Sequence, residues 1–263
     1  MSPKTVLHLT DLHILPDVGA SMLGVDTNHY FERTLQHAHQ QHGPFDLILL
    51  TGDLAQDPCE ASYQRIAEQL KRYRTPCVCL PGNHDDFTMM TATFNQDNLS
   101  CAKQTTLGNW RIIGLNSQKQ HSPVGRLEES ELVFLRQSLE AHPESPTLLA
   151  LHHPCIASGS SWLDTMQIEN SDALLAIVKP FAQLKAIACG HLHQALERQI
   201  AHMTLYATPS TCFQFKPKAD AFSLDTLSPG YRIFELHEDG LLHSDCYRIP
   251  ETLTTLDTSS QCY

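Results

Sequence analysis

Five short apolar runs punctuate the chain, and each gives way at once to a polar cluster. Residues 6–9 run into Thr10-Asp11-Leu12-His13, and residues 47–50 into Thr51-Gly52-Asp53. Residues 78–80 run into Pro81-Gly82-Asn83-His84-Asp85. Residues 148–151 lead to His152-His153-Pro154, and residues 186–189 to Gly190-His191-Leu192-His193. Runs this short and this rich in Val, Ile and Leu predict buried strands. Cys77 and Cys79 alternate around Val78, so they are expected on one face. Helical spacing predicts helices over residues 30–42, 61–73, 128–141 and 172–181; in the second, Tyr63, Ile66, Ala67 and Leu70 mark the apolar stripe. Strands alternating with helices predict an α/β architecture with parallel strands. Such sheets bind ligands beyond the carboxyl ends of their strands. All five clusters sit at that end, so five loops can converge on one site.

After Gly190 the texture changes. Residues 198–207, 231–237 and 241–248 read as consecutive strands, with Asp239-Gly240 as a hairpin signal. They are expected to add antiparallel strands to a second sheet. Past Ile249 the apolar pattern gives out. A single domain is therefore expected over residues 1–249, with a loose tail at 250–263.

A length of 263 residues suits one large α/β domain, and 41% hydrophobic with 18% charged residues is ordinary for a soluble protein. No apolar run approaches the roughly 20 residues that cross a bilayer. The first residues lack a secretory-signal pattern, so the expected location is cytoplasmic and no membrane partner is expected. A formal charge of −11 speaks against binding long nucleic acid. It leaves room for a small phosphate substrate, because bound cations reverse the local field. The nine cysteines contain no C-x-x-C pair and read as reduced, buried thiols. The 16 histidines change the picture more, because many lie in the clusters.

Asp, His and Asn offer oxygen and nitrogen to divalent transition metals. Asp11 and His13, two apart at a strand end, can grip one ion from the same side. His191 and His193 have the same spacing. Asp53 has a carboxylate that can bridge two ions, Asn83 a neutral oxygen and His152 a further nitrogen. Taken singly each cluster has an ordinary reading. Gly-Asp is common in turns, Gly-Asn-His-Asp makes a plain β-turn, and His-His-Pro makes a solvated loop. Together, in this order and all at strand ends, they point to a metal centre.

The series D-x-H, G-D, G-N-H-D, H-H-P and G-H-x-H resembles the calcineurin-like metallophosphoesterases, over residues 4–248. The resemblance implies a four-layer α/β/β/α sandwich of two mixed sheets with two metal ions at the strand ends. It implies that Asp11, His13 and His193 hold one metal, that Asn83, His152 and His191 hold the other, and that Asp53 bridges them. His153 would support its neighbour. His84 would be the catalytic residue, placed over the scissile phosphate to protonate the leaving oxygen, with adjacent Asp85 orienting it. Substrate would touch His13, Asp53, Asn83, His84 and His193. In such a centre a metal-bound hydroxide attacks phosphorus in line.

A second resemblance narrows the substrate. Residues 207–217 (Ala-Thr-Pro-Ser-Thr-Cys-Phe-Gln-Phe-Lys-Pro), Ser223-Leu224-Asp225, Ser228-Pro229-Gly230-Tyr231-Arg232 and Ser160-Ser161-Trp162-Leu163-Asp164 are similar to bacterial class III cyclic-AMP phosphodiesterases. This implies hydrolysis of 3′,5′-cyclic AMP to 5′-AMP with Fe(II) or Mn(II). A different nucleotide, a lipid precursor or a phosphomonoester is the alternative. Trp162, Phe213 and Phe215 are candidates for a wall against adenine. Asn116 stands where an Asp is more usual, outside the ligand set. Dimers are common among such relatives, so a homodimer is among the expected assemblies.

Overall fold

A computed structural model describes residues 2–262. Two six-stranded mixed sheets pack face to face between helices. The first half supplies β1 (Lys4–Leu9), α1 (Thr27–His42), β2 (Leu47–Thr51), α2 (Glu60–Lys71), β3 (Cys77–Leu80), α3 (Phe87–Phe94) and β4 (Leu99–Ser100). The middle supplies β5 (Gln104–Leu107), β6 (Trp110–Gly114), α4 (Glu129–Ala141), β7 (Thr147–Ala150), α5 (Ser161–Asp164), α6 (Ser171–Val178) and β8 (Leu184–Cys189). Then follow β9 (Leu196–Ile200), β10 (Met203–Ala207), β11 (Gln214–Phe215), β12 (Leu224–Asp225), β13 (Gly230–Leu236) and β14 (Leu242–Arg248).

Strand alternation builds the layers. Val6, Leu49, Val78 and Leu80 point between the sheets, where they meet Trp110, Ile112, Leu148, Ala186 and Ala188. Their neighbours Leu7, Leu9, Ile48, Leu50, Cys77 and Cys79 point outward onto Phe31, Leu35, Tyr63, Ile66 and Leu70 of α1 and α2. On the far side Ile113, Leu149, Ile187 and Leu205 pack under Leu135, Leu139, Leu174 and Val178 of α4 and α6. A period of two thus sends alternate residues into separate cores. Cys77 and Cys79 share a face, as the pattern requires.

The sheet orders are β14-β13-β1-β2-β3-β4 and β5-β6-β7-β8-β10-β9. The central strands β1, β2 and β3 are parallel, as are β6, β7 and β8. One expectation is corrected. The late strands do not all join the second sheet: β13 pairs antiparallel with β1, Val6 facing Phe234, and carries β14 with it. β13 carries apolar side chains on both faces, Phe234 and Leu236 between the sheets and Tyr231 and Ile233 on the helix side. Such a strand needs a covered position beside β1. Helix α1 begins at Thr27, ahead of the periodic stripe, because the Asp26 carboxylate accepts the His29 N–H at 3.0 Å and caps it.

The tail is also corrected. Leu253 is buried in the core under α4 and α6, and Leu256 packs against it. The Asp257 N–H donates to Leu23 O at 2.9 Å, and Thr255 Oγ1 donates to Gly24 O. Two leucines three residues apart, with these hydrogen bonds, tie a mostly polar segment to the domain.

Candidate metal centre and substrate cleft

The loops that leave β1, β2, β3, β7 and β8 meet above the sheets, and they bring the predicted ligands together. Asp11, His13, Asp53, His152, His191 and His193 are all buried. Asn83 and His84 are half-buried at the rim of a cleft. His193 Nε2 lies 3.2 Å from His13 Nε2 and 3.5 Å from Asp11 Oδ1. His152 Nε2 lies 3.2 Å from Asn83 Oδ1 and 3.3 Å from His191 Nδ1. Asp53 Oδ2 stands between the two groups, 3.3 Å from His152 Nε2 and 3.9 Å from His13 Nε2. Among the described residues, sets of three such groups fall within 4.8 Å of one another, one around Asp11, His13 and His193 and another around Asp11, Asp53 and His152.

The donor set fits divalent cations. His193 Nδ1 donates to Phe213 O at 2.8 Å, and His152 Nδ1 to Thr51 O at 2.7 Å. His13 Nδ1 pairs with Gln56 Oε1 at 2.7 Å. Each partner fixes the ring so that its Nε2 lone pair faces the cluster, as supporting groups do around metal-ligating histidines. His191 Nε2 and His153 Nε2 are buried without any hydrogen-bond partner. Burying several imidazoles and two carboxylates together, two of the ring nitrogens orphaned, is costly unless a cation joins them.

Electrostatics agree. Burial holds His13 and His191 down to about 3, so both are neutral and can donate lone pairs. Burial also pulls on His152, but Asp53 and Asp11 outweigh it and lift the imidazole to about 9. Burial would raise Asp53, yet His152 and His84 hold it well below the usual carboxylate range.

The backbone is bent to reach this geometry. Asp11, His13, Asp53, His191 and His193 all have positive φ, between 47° and 66°. That left-handed region is rare for residues other than glycine, asparagine and aspartate. Three strand exits, those of β1, β2 and β8, therefore turn sharply at candidate ligands. Glycines make room beside them: a Cβ at Gly82 would strike the Asp53 side chain, and one at Gly190 would strike Thr10 and Asp11.

Supporting residues surround the candidate ligands, and not all of them in the role expected of them. Asp85 does not orient His84. Its carboxylate accepts the N–H groups of Leu54, Ala55 and Gly82 at 3.1–3.2, 3.0 and 2.9 Å, and the Tyr63 hydroxyl at 3.0 Å. It pins the loop after β2 to the loop after β3. His84 Nδ1 lies instead 3.3 Å from Gln56 O, and the His84 N–H donates to Asp53 Oδ1 at 3.0 Å. His153 Nδ1 pairs with Ser117 Oγ at 2.8 Å, and the ring packs beside His152 and His191. The segment at residues 207–217 closes the back of the centre. Ser210 Oγ donates to Asp11 O at 2.7 Å, and Phe213 O holds His193.

A cavity of about 650 Å³ opens beside Asn83, His84 and His191. Trp162, Met166 and Phe222 form one wall, and Pro123 with His121 the other. Phe213 and Phe215 do not reach it as expected. Both are fully buried, and their rings pack against His193, so they are the floor beneath the ligands.

Comparison with known proteins agrees with this geometry. The family model described as calcineurin-like phosphoesterase matches residues 4–195. The 3′,5′-cyclic adenosine monophosphate phosphodiesterase CpdA of Escherichia coli (strain K12) is 40% identical over 259 residues, covering 98% of this chain and 94% of that protein. A 3′,5′-cyclic-nucleotide phosphodiesterase of Nostoc sp. is 32% identical over 261 residues, covering 99% and 98%. The crystal structure of a dimetal phosphatase from Danio rerio superposes with a TM-score of 0.65 at 11% identity, covering 90% of this chain and 94% of that one. The last shows likeness of fold.

Proposed function

Because the chain belongs to the calcineurin-like phosphoesterases, we propose that it is a dinuclear-metal phosphodiesterase that hydrolyses 3′,5′-cyclic AMP to 5′-AMP. What carries this reading is 40% identity over nearly the whole chain to an enzyme of that name. The buried His and Asp cluster facing an aromatic-walled cavity supports it chemically. At about 650 Å³ the cavity falls in the usual range for small-molecule sites.

Asp11, His13 and His193 would hold one metal and Asn83, His152 and His191 the other, with Asp53 between the two groups. Fe(II) and Mn(II) suit this nitrogen and oxygen set. When bound, such a pair supplies Lewis acidity to the phosphate oxygens and acidifies the attacking water. The chain does the rest. Asn83 and His84, at the rim, orient the phosphate, with His13, Asp53 and His193 beneath it. His84 hands a proton to the departing ribose oxygen. Trp162, Met166 and Phe222 exclude water from one face of the adenine. Among the described residues no helix is long and apolar enough to cross a membrane. We place the enzyme in the cytoplasm, with a cyclic nucleotide as its partner and a homodimer among the expected assemblies.

A turnover panel on protein reconstituted with Mn(II) or Fe(II) tests the reading. It compares 3′,5′-cyclic AMP, 2′,3′-cyclic AMP, an aryl diester and an aryl monoester, with Asp53→Ala as control. Release of 5′-AMP from the 3′,5′ ring, absent in the control, is expected. Turnover of the aryl diester alone would keep the two-metal chemistry and sink the substrate.

A further inference from the structure

The core between the sheets turns polar at the end nearest the candidate ligands. Val6, Leu49, Ala186, Ala188 and Phe234 belong to its apolar part. Two residues on from Val6 and Leu49, on the same strand faces, stand His8 and Thr51. Both are fully buried, and so is Thr208, the residue after β10 in the opposite sheet. His8 Nε2 lies 2.7 Å from Thr51 Oγ1, and His8 Nδ1 lies 2.7 Å from Thr208 Oγ1. The ring stacks on Phe234 with centroids 5.8 Å apart. Burial above all, and then the Arg232 charge, hold the imidazole down to about 3. It is therefore neutral, donating to one threonine and accepting from the other.

Filling this space does not call for a polar bridge. Leucine and two valines would occupy it, and exchanging all partners of a buried hydrogen-bonded set for apolar groups of like shape is close to neutral or stabilising. What the bridge does is join strand ends. His8 lies on β1, shortly before Asp11. Thr51 ends β2, shortly before Asp53, and its carbonyl accepts from His152 Nδ1 at 2.7 Å. The Thr208 N–H donates to Cys189 O at 3.1 Å, at the end of β8 and just ahead of His191. Beyond Thr208, Ser210 Oγ donates to Asp11 O at 2.7 Å. One imidazole thus ties the exits of β1 and β2 in the first sheet to those of β8 and β10 in the second. We propose that His8 is a positioning residue for the metal centre: its bridge from Thr51 to Thr208 sets how the two sheets are offset at their strand ends, and so how far apart the ligands contributed by each sheet stand. His8 touches neither ion nor substrate in this role. The proposal rests on the two-metal reading above.

The test separates stability from metal binding. The triple variant His8→Leu/Thr51→Val/Thr208→Val removes the bridge and leaves none of its hydroxyls orphaned. Its metal-free form is expected to melt no lower than wild type in scanning calorimetry. Titrated with Mn(II), its weaker site should lose about 10-fold or more in affinity, as ligands do when a supporting group is removed. At two equivalents of Mn(II), the paramagnetic resonance spectrum should pass from that of a spin-coupled pair toward that of separate ions. His8→Gln, whose amide also donates at one atom and accepts at the other, should keep Mn(II) affinity within about 3-fold of wild type. Thr208→Val cuts only the limb to the second sheet and serves if the triple variant does not fold; it should weaken the same site. Mn(II) affinity and spectrum unchanged in the triple variant, or in Thr208→Val where that is the one that folds, would make the bridge a matter of packing and overturn the proposal. Wild-type protein that binds fewer than two Mn(II) ions would overturn the two-metal reading and the proposal with it.

Discussion

At the scale of single residues, His84 and the ligand histidines call for different experiments. His84 lies at the rim, held by Gln56 O and by its own N–H on Asp53, and it is not needed to complete either predicted ligand set. His84→Ala should therefore keep both metals, counted by elemental analysis, while turnover falls by about 10²-fold or more. Wild-type turnover at full metal content would remove its role. His152 makes a second case. In the metal-free protein, Asp53 and Asp11 overcome burial and hold its pKa at about 9, so it carries a proton at neutral pH. A cation must displace that proton. Apparent metal affinity should then rise with pH between 7 and 9, by about tenfold per unit for each proton released. Calorimetry in two buffers of different ionisation enthalpy counts the protons, and a count of zero at pH 7 would contradict the assignment. The candidate ligands were legible in the sequence because D-x-H and G-H-x-H put chemistry and spacing in a few adjacent letters. The partners of those ligands were not. Thr51 and Phe213 act through backbone carbonyls, which look the same in every residue.

At the scale of elements, the loops matter more than the strands. Asp85 is the clamp between the loops after β2 and β3, and Tyr63 reaches from α2 to complete it, its hydroxyl donating to Asp85 and accepting the Asp86 N–H at 2.9 Å. Tyr63→Phe keeps the ring and removes both bonds. It should cost about 1–3 kcal/mol in urea unfolding, because a buried carboxylate loses a donor and an N–H loses its acceptor. An unchanged midpoint would mean that water replaces the hydroxyl. The central strands were legible from apolar runs, and α2 from its stripe of Tyr63, Ile66, Ala67 and Leu70. Helix α3 was not, since Phe87-Thr88-Met89-Met90 shows little contrast between faces; the Asp86 side chain on the Met89 N–H marks its start instead. Nor could sequence assign β13 to the first sheet. Pairing partners depend on which neighbour can cover both of its faces, and that is settled by residues far away in the chain.

At the scale of the whole molecule, the centre joins the two halves. Asp11, His13, Asp53 and Asn83 follow strands of one sheet, and His152, His191 and His193 follow strands of the other. A metal shared between them would be a cross-brace, so chelation should reduce global stability as well as activity. Two sites held at about 100-fold over their dissociation constants would add about 2.7 kcal/mol each. Stripping them should lower Tm by on the order of 10 °C, measured by calorimetry with and without chelator. No change would place the ions outside the folding equilibrium. The five left-handed ligands give this brace a history as well as a function. Their backbone strain has to be offset by the rest of the structure whether or not a metal is present. In the metal-free protein, His191→Asn should melt no lower than the parent, since asparagine accepts a φ of 66° and the orphaned imidazole is gone; a clear fall would show that packing outweighs strain there. A lineage released from catalysis would then drift toward asparagine and glycine at these five positions while its cores stayed intact. In this fold the loss of an enzyme would leave its mark first on the backbone.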